Sequence, residues 1–242
     1  MGKLDGKVAV VTGGGSGIGF GIAERFAEEG AKLVLVGRTQ ERLGRAAKAI
    51  GNGAIGIAAD MSVESEVKAL FDQLERVDHL VTCAGGAVFG TIDGLPAHEW
   101  KALFEGRFFG QIYCCHHAVA KMPEGSTILL CSGIAAEAYV PEYSGGAALC
   151  GAVNALGKNL AVELAPKGIR VNVLSPGLVE GTEIKNNLAE EKLAAFWEDT
   201  VNRIPARRAG TARDTADAAY FLATCGYASG IVIDVDGGWT AT

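Results

Sequence analysis

The segment Thr12-Gly13-Gly14-Gly15-Ser16-Gly17-Ile18-Gly19 has the residue types and spacing to do chemistry, and that chemistry is anion binding. It follows an apolar run from Val8 to Val11 and opens an amphipathic stretch from Ile18 to Glu29, the strand-turn-helix setting in which such glycines matter. Small residues let the backbone approach a pyrophosphate, whose charge then sits over the positive helix terminus and its free N–H groups. A glycine turn can also do no more than close a strand-helix corner, but the βα context favours the nucleotide.

A second cluster, Cys114-Cys115-His116-His117, carries metal-ligand atoms. Residues three apart share a helix face, so Cys114 approaches His117 while the other two point around the helix. Two ligands do not close a metal site, and the expectation is a helix buried in a subunit contact, with no metal. The six cysteines, at 83, 114, 115, 131, 150 and 225, have no CxxC spacing and suit free thiols in a reducing compartment.

The elements that must position these groups alternate along the chain. Strand-like runs at Lys32–Val36, Ala54–Ala59, His79–Cys83, Thr127–Cys131, Arg170–Leu174 and Ile231–Val235 are separated by helical patterns at Glu41–Ile50, Val63–Leu74, His98–His117 and Leu149–Ala165. Strands alternating with helices imply a doubly wound parallel sheet of the Rossmann type, an α/β fold with helices on both faces, in a three-layer α/β/α sandwich. Ligands on such sheets bind beyond the carboxyl ends of the strands.

With 242 residues and no Pro/Ser linker, the chain reads as one domain over 1–242. Its 34 glycines follow no three-residue period, which excludes a collagen-like reading. A net charge of -6 and a pI near 5.3 argue against a nucleic-acid partner. No run of 18 apolar residues suggests a membrane span, and Met1-Gly2-Lys3-Leu4-Asp5 lacks the apolar core of a signal peptide, so a cytoplasmic location is expected.

Further motifs stand in order along the chain: Asp60 after the third strand, Ala84-Gly85 after the fourth, Gly168-Ile169-Arg170-Val171-Asn172, Ser175-Pro176-Gly177 and Val235-Asp236-Gly237-Gly238. Together with the glycine turn they make the sequence resemble, over nearly its whole length, the short-chain dehydrogenase/reductase family in its single-domain form. The resemblance implies that Gly13, Gly15, Ser16, Gly17, Ile18 and Gly19 hold the pyrophosphate. It implies too that Asp60 and its neighbour Met61 meet the adenine and that Ala84 and Gly85 line the ribose. Pro176 and Gly177, with Val179 and Thr182, would then hold the nicotinamide end. Cys83 stands where the family usually has asparagine, which weakens bracing of the central sheet. The nucleotide expected is NADP(H) in preference to NAD(H), because Gly37 and Arg38 follow the second strand where an acidic residue would bind the ribose hydroxyls and repel a 2′-phosphate. A guanidinium offers that phosphate two parallel donors.

The family's chemistry uses an asparagine, a serine, and a tyrosine and lysine four residues apart. The tyrosine transfers the proton, the lysine cation makes it a usable acid near neutrality, and the serine orients the substrate oxygen. Counted without gaps from Gly168, the serine, tyrosine and lysine positions fall on Gly133, Gly146 and Cys150, and the run Phe104-Glu105-Gly106-Arg107-Phe108-Phe109-Gly110 places Arg107 at the asparagine position. Conventional carbonyl reductase activity is therefore doubtful. Tyr143 lies three residues before Gly146, with Ser132 eleven residues upstream of it, and no lysine occurs between Lys121 and Lys158. Arg107 is then the cation that could serve a phenol at Tyr143, if it comes within about 4–6 Å. Otherwise Tyr143 and Tyr139 are aromatic lining of a pocket mouth or a subunit contact.

Gly146 is expected to leave a void where a phenol ring normally stands, open to a larger ligand. Gly145, Gly146, Gly151 and Gly157 each cost about 1 kcal/mol of helix propensity, so the stretch Gly145–Leu164 should pack closely on a neighbour, which suggests a homodimer or homotetramer. Residues 183–208, with Phe196 and Trp197, suit a substrate lid or a fixed surface helix. Three functions stay open: an NADP(H)-dependent oxidoreductase of a small-molecule substrate, a redox-silent nucleotide sensor or partner subunit, and an enzyme with another proton donor such as Tyr143.

Overall fold

The computed structural model describes residues 2–182 and 190–242. Seven strands form one parallel sheet: β1 (Val8–Thr12), β2 (Lys32–Gly37), β3 (Ile55–Ala58), β4 (His79–Thr82), β5 (Thr127–Cys131), β6 (Arg170–Pro176) and β7 (Val232–Val235). Their order is β3-β2-β1-β4-β5-β6-β7, so the chain reverses direction of growth between β1 and β4, and a cleft opens there at the carboxyl ends of the strands.

The period-2 geometry of β1 explains the layering. Val10 faces one apolar layer, with residues of α3 (Glu64–Asp72), α5 (Gly110–Ala118) and α6 (Ser144–Glu163). Ala9 and Val11 face the other, with α1 (Gly17–Glu28), α2 (Gln40–Ile50) and α8 (Ala212–Thr224). Strands buried on both faces read as continuous apolar runs, and the expected sheet is the observed one. Among the described residues, no helix is long and apolar enough to cross a membrane.

The helical pattern at 98–117 does not form one α-helix. It divides into α4 (Ala97–Phe104), a π-helical turn over Glu105–Phe109, and α5. The extra residue per turn rotates the chain at Arg107, and such π turns are a recurrent feature of functional sites. Residues 183–189 of the expected lid lie outside the described residues. Within it, α7 (Glu190–Arg203) carries Phe196 and Trp197, which pack on a small apolar cluster of Ile134, Leu178, Ile204, Ala209 and Trp239.

Candidate active site

The glycine turn approaches the neighbouring backbone as closely as atoms permit. Gly13 has φ +69°, and a Cβ there would lie 2.6 Å from the Cys83 carbonyl oxygen. At Gly19 a Cβ would strike the carbonyl of Gly13 itself. Ser16 caps α1 without a side-chain hydrogen bond, which leaves the first-turn amides open to an incoming anion. Across the cleft, a Cβ at Gly177 would come within 2.8 Å of Asp236 Cα. This cradle fits a dinucleotide: small residues, free amides and no side-chain bulk where phosphates would lie.

The cleft has a volume of about 1170 Å³ counted out to its opening. Of the expected nucleotide residues, Gly13, Ser16, Gly17, Ile18, Gly19, Gly85, Pro176, Gly177 and Thr182 line it. The others are set back. Gly15 packs beside Arg42, Ala84 donates its amide to Thr12 Oγ1 at 3.1 Å, and Val179 is buried, its carbonyl accepting from Thr182 Oγ1 at 2.9 Å. Met61 is buried against Cys114, sulfur to sulfur at 3.5 Å. Asp60 accepts from the Ser62 amide at 2.9 Å and hydroxyl at 2.7 Å. Burial opposes its charge, yet the Ser62 bonds and the nearby Arg38 guanidinium prevail and hold its carboxyl below the usual range. Arg38 is exposed at the end of β2.

Gln111 supplies a brace at the centre of the sheet, beside Cys83. Gln111 is buried, accepts from the Thr82 hydroxyl at 2.7 Å and donates to the Cys131 carbonyl at 3.1 Å, tying β4 to β5. This residue carried no sequence signal; only its place two residues after the π segment reveals it.

The proton-transfer candidates converge at the same cleft. Arg107, on the π turn, extends its stem across Gly85, where a Cβ would collide with Arg107 Cγ, and Gly85 has φ +122°. Its Nη1 donates to Tyr143 Oη at 3.0 Å. Burial works against the Arg107 charge, but Tyr143, Cys150 and Cys131 face it, and the guanidinium is held above its ordinary value. Among the described residues it makes no salt bridge, and it is the charged side chain in the cleft lining. The Tyr143 ring stacks on Phe89 at 4.6 Å between centroids, and Phe89 meets Phe196 edge-on at 5.7 Å.

The expected void at Gly146 is filled. A Cβ there would collide with Cζ and Cε1 of Tyr143, whose ring folds back over the first turn of α6. Tyr143 occupies the N-cap position, outside helical geometry, and this lets the ring reach a residue three positions on. Ser132 is buried and its hydroxyl donates to the Cys150 carbonyl at 3.0 Å. Gly133 lies against Cys150, with a Cβ there 3.2 Å from Sγ. Tyr139 is 78% exposed and does not line the cleft. In the Cys114–His117 run, Cys114 faces the core while His117 Nε2 faces Glu64 at 3.3 Å.

A parallel Rossmann sheet with a glycine-lined cleft at its switch point defines a dinucleotide-binding α/β protein. Residues 13–240 match a family model described as enoyl-(acyl carrier protein) reductase. The peroxisomal 2,4-dienoyl-CoA reductase of Rattus norvegicus is 34% identical over 97% of this chain and 84% of its own length. Among solved structures, a short chain dehydrogenase/reductase family protein superposes with a TM-score of 0.89 at 32% identity, covering 99% of this chain and 100% of that one. A gluconate 5-dehydrogenase from Burkholderia cenocepacia, solved with NADP and tartrate, gives a TM-score of 0.89 at 30% identity over 99% of this chain and 97% of its own. The chain belongs to the short-chain dehydrogenase/reductase family and is an oxidoreductase of that family by descent.

Proposed function

We propose that this protein is an NADP(H)-dependent reductase of a small carbonyl compound whose proton-transfer site has been rebuilt around Tyr143 and Arg107. The observation that carries the reading is the 3.0 Å bond from the Arg107 guanidinium to the Tyr143 hydroxyl in the cleft that the glycine turn opens into. In this reading Arg107, Gly133, Gly146 and Cys150 stand at the family's asparagine, serine, tyrosine and lysine positions, and the cation that a lysine supplies elsewhere comes from the π turn.

A bound nicotinamide would supply or accept a hydride. The chain's own residues do the rest. Gly13 to Gly19 would offer amides to the pyrophosphate, and Arg38 would hold the 2′-phosphate. NADP in the related gluconate 5-dehydrogenase supports that choice. Reduction of a carbonyl carbon leaves negative charge on its oxygen, and the Tyr143 hydroxyl donates the proton that neutralises it. Arg107 stabilises both that developing charge and the oxygen of Tyr143 once its proton has gone, in a cleft walled by Phe89 and Phe196. The enoyl reductase description of the family model and the dienoyl-CoA reductase relative support widening the substrate class to conjugated carbonyl compounds, where the same cation would hold an enolate oxygen. Small residues along α6 and the 76% exposure of Val162 support assembly as a homo-oligomer.

Titration of the purified protein with NADPH and NADH, followed by NADPH oxidation against a panel of ketones, aldehydes and conjugated carbonyls, tests the reading. Tighter binding of NADPH together with oxidation by at least one class is expected. Binding without oxidation across the panel overturns it in favour of a redox-silent nucleotide sensor.

A further inference from the structure

Cys83 follows β4 directly and Cys131 ends β5. Thr82 and Leu130 are register partners, and the Cys83 amide donates to the Thr12 carbonyl at 3.2 Å, so the pairing of β4 with β1 runs on by one residue. Cys83 and Cys131 are therefore opposite one another on adjacent parallel strands. Such strands are about 4.8 Å apart and registered side chains share a face. A disulfide asks for a Cα separation of about 4.4–6.8 Å, which that spacing meets. Both residues line the cleft, where a small solute can reach them.

Three of the remaining thiols are placed differently. Cys114 and Cys115 are buried in the core, and burial pushes Cys115 up to about 12. Cys150 is 1% exposed, and burial raises its thiol despite Arg107. Cys131 moves the other way: the neighbouring Cys83 thiol, helped by the Arg107 guanidinium, outweighs burial and lowers it. Thiolate character and access together select a reactive cysteine.

We propose that Cys83 and Cys131 form an oxidisable dithiol in the floor of the cleft, with a small hydroperoxide as the reactant and a disulfide as the product. The Cys131 sulfur, as thiolate, attacks the hydroperoxide. An S–O bond forms, the O–O bond breaks, and the departing oxygen takes up a proton and leaves as water or an alcohol. The peroxide is reduced by two electrons and Cys131 becomes a sulfenic acid. The Cys83 sulfur then attacks it: the S–S bond forms, the S–O bond breaks, and the hydroxyl leaves as water with the Cys83 proton. Neither thiol has a part in the hydride chemistry proposed above, so the dithiol stands whether or not that reading does.

Non-reducing peptide mapping of the full chain after hydrogen peroxide tests the proposal without any substitution. The expected result is a Cys83–Cys131 linked peptide pair, a mass about 2 Da lower than the reduced chain, and reversal by dithiothreitol. In Cys83→Ser the reaction should stop at a sulfenic acid on Cys131 that dimedone captures. Thiols at 83 and 131 that survive while Cys225 or another cysteine is oxidised overturn the proposal, as does a link from Cys131 to Cys150.

Discussion

The ring of Tyr143 occupies the space that any residue larger than glycine at position 146 would need. Tyr143 is the N-cap of α6, Gly146 sits in the first turn, and the phenol is pinned from outside by Arg107 at 3.0 Å and by the stacked Phe89. The glycine is thus the condition for the phenol's position, and the arginine sets its direction.

Gly146→Ala should separate these effects. Alanine gains about 1 kcal/mol of helix propensity but evicts the ring, so turnover is expected to fall by roughly tenfold or more through lost positioning. The NADPH dissociation constant should stay within about twofold, because the substitution lies apart from the glycine turn. Steady-state rates beside a fluorescence titration measure both. Full activity in the alanine variant would mean that the ring is not needed where it lies.

Arg38→Ala should weaken NADPH by about 10–100-fold, the range for loss of charge-assisted hydrogen bonds, and leave NADH nearly unchanged. Equal losses for the two nucleotides would show that Arg38 does not read the 2′-phosphate.

Acid stability should depend on Asp78, 2% exposed at the amino end of the sheet. Burial opposes its ionisation, yet bonds from Arg76 at 2.7 and 2.9 Å, the Val8 amide at 3.0 Å and Lys7 at 3.2 Å prevail and hold its carboxyl down to about 2. The folded value is depressed below the ordinary 3.8, so the contribution is complete above pH 4 and disappears as pH falls toward 2. Asp78→Asn should lower the melting temperature at pH 7 and flatten the pH dependence of stability in that window. Parallel melting curves for the two proteins between pH 4 and pH 2, with a constant offset, would contradict the assignment.

The sheet was legible in the sequence because buried parallel strands are near-continuous apolar runs, and the glycine turn because close approach of two backbones excludes side chains. The π turn was not. The apolar pattern of residues 98–117 runs on evenly, and a shift from i→i+4 to i→i+5 bonding at Glu105–Phe109 leaves no mark in residue type. The same holds for the ring of Tyr143. Its three-residue spacing from Gly146 was visible, but a side-chain rotamer and a cap conformation decide that it fills the expected void. The Ser132 hydroxyl turns to the Cys150 carbonyl for a like reason, a backbone acceptor on α6, 18 residues on, that sequence does not locate.

One oxygen atom, the Tyr143 hydroxyl, carries the proposed proton transfer, and Tyr143→Phe removes it while keeping the stacked ring. With a substrate found by the NADPH screen, kcat in the phenylalanine variant should fall by about 10²–10⁴-fold, the contribution of a positioned general acid, while NADPH binds as before. A kcat equal to that of the unaltered protein, with the nucleotide bound as tightly, would contradict the account.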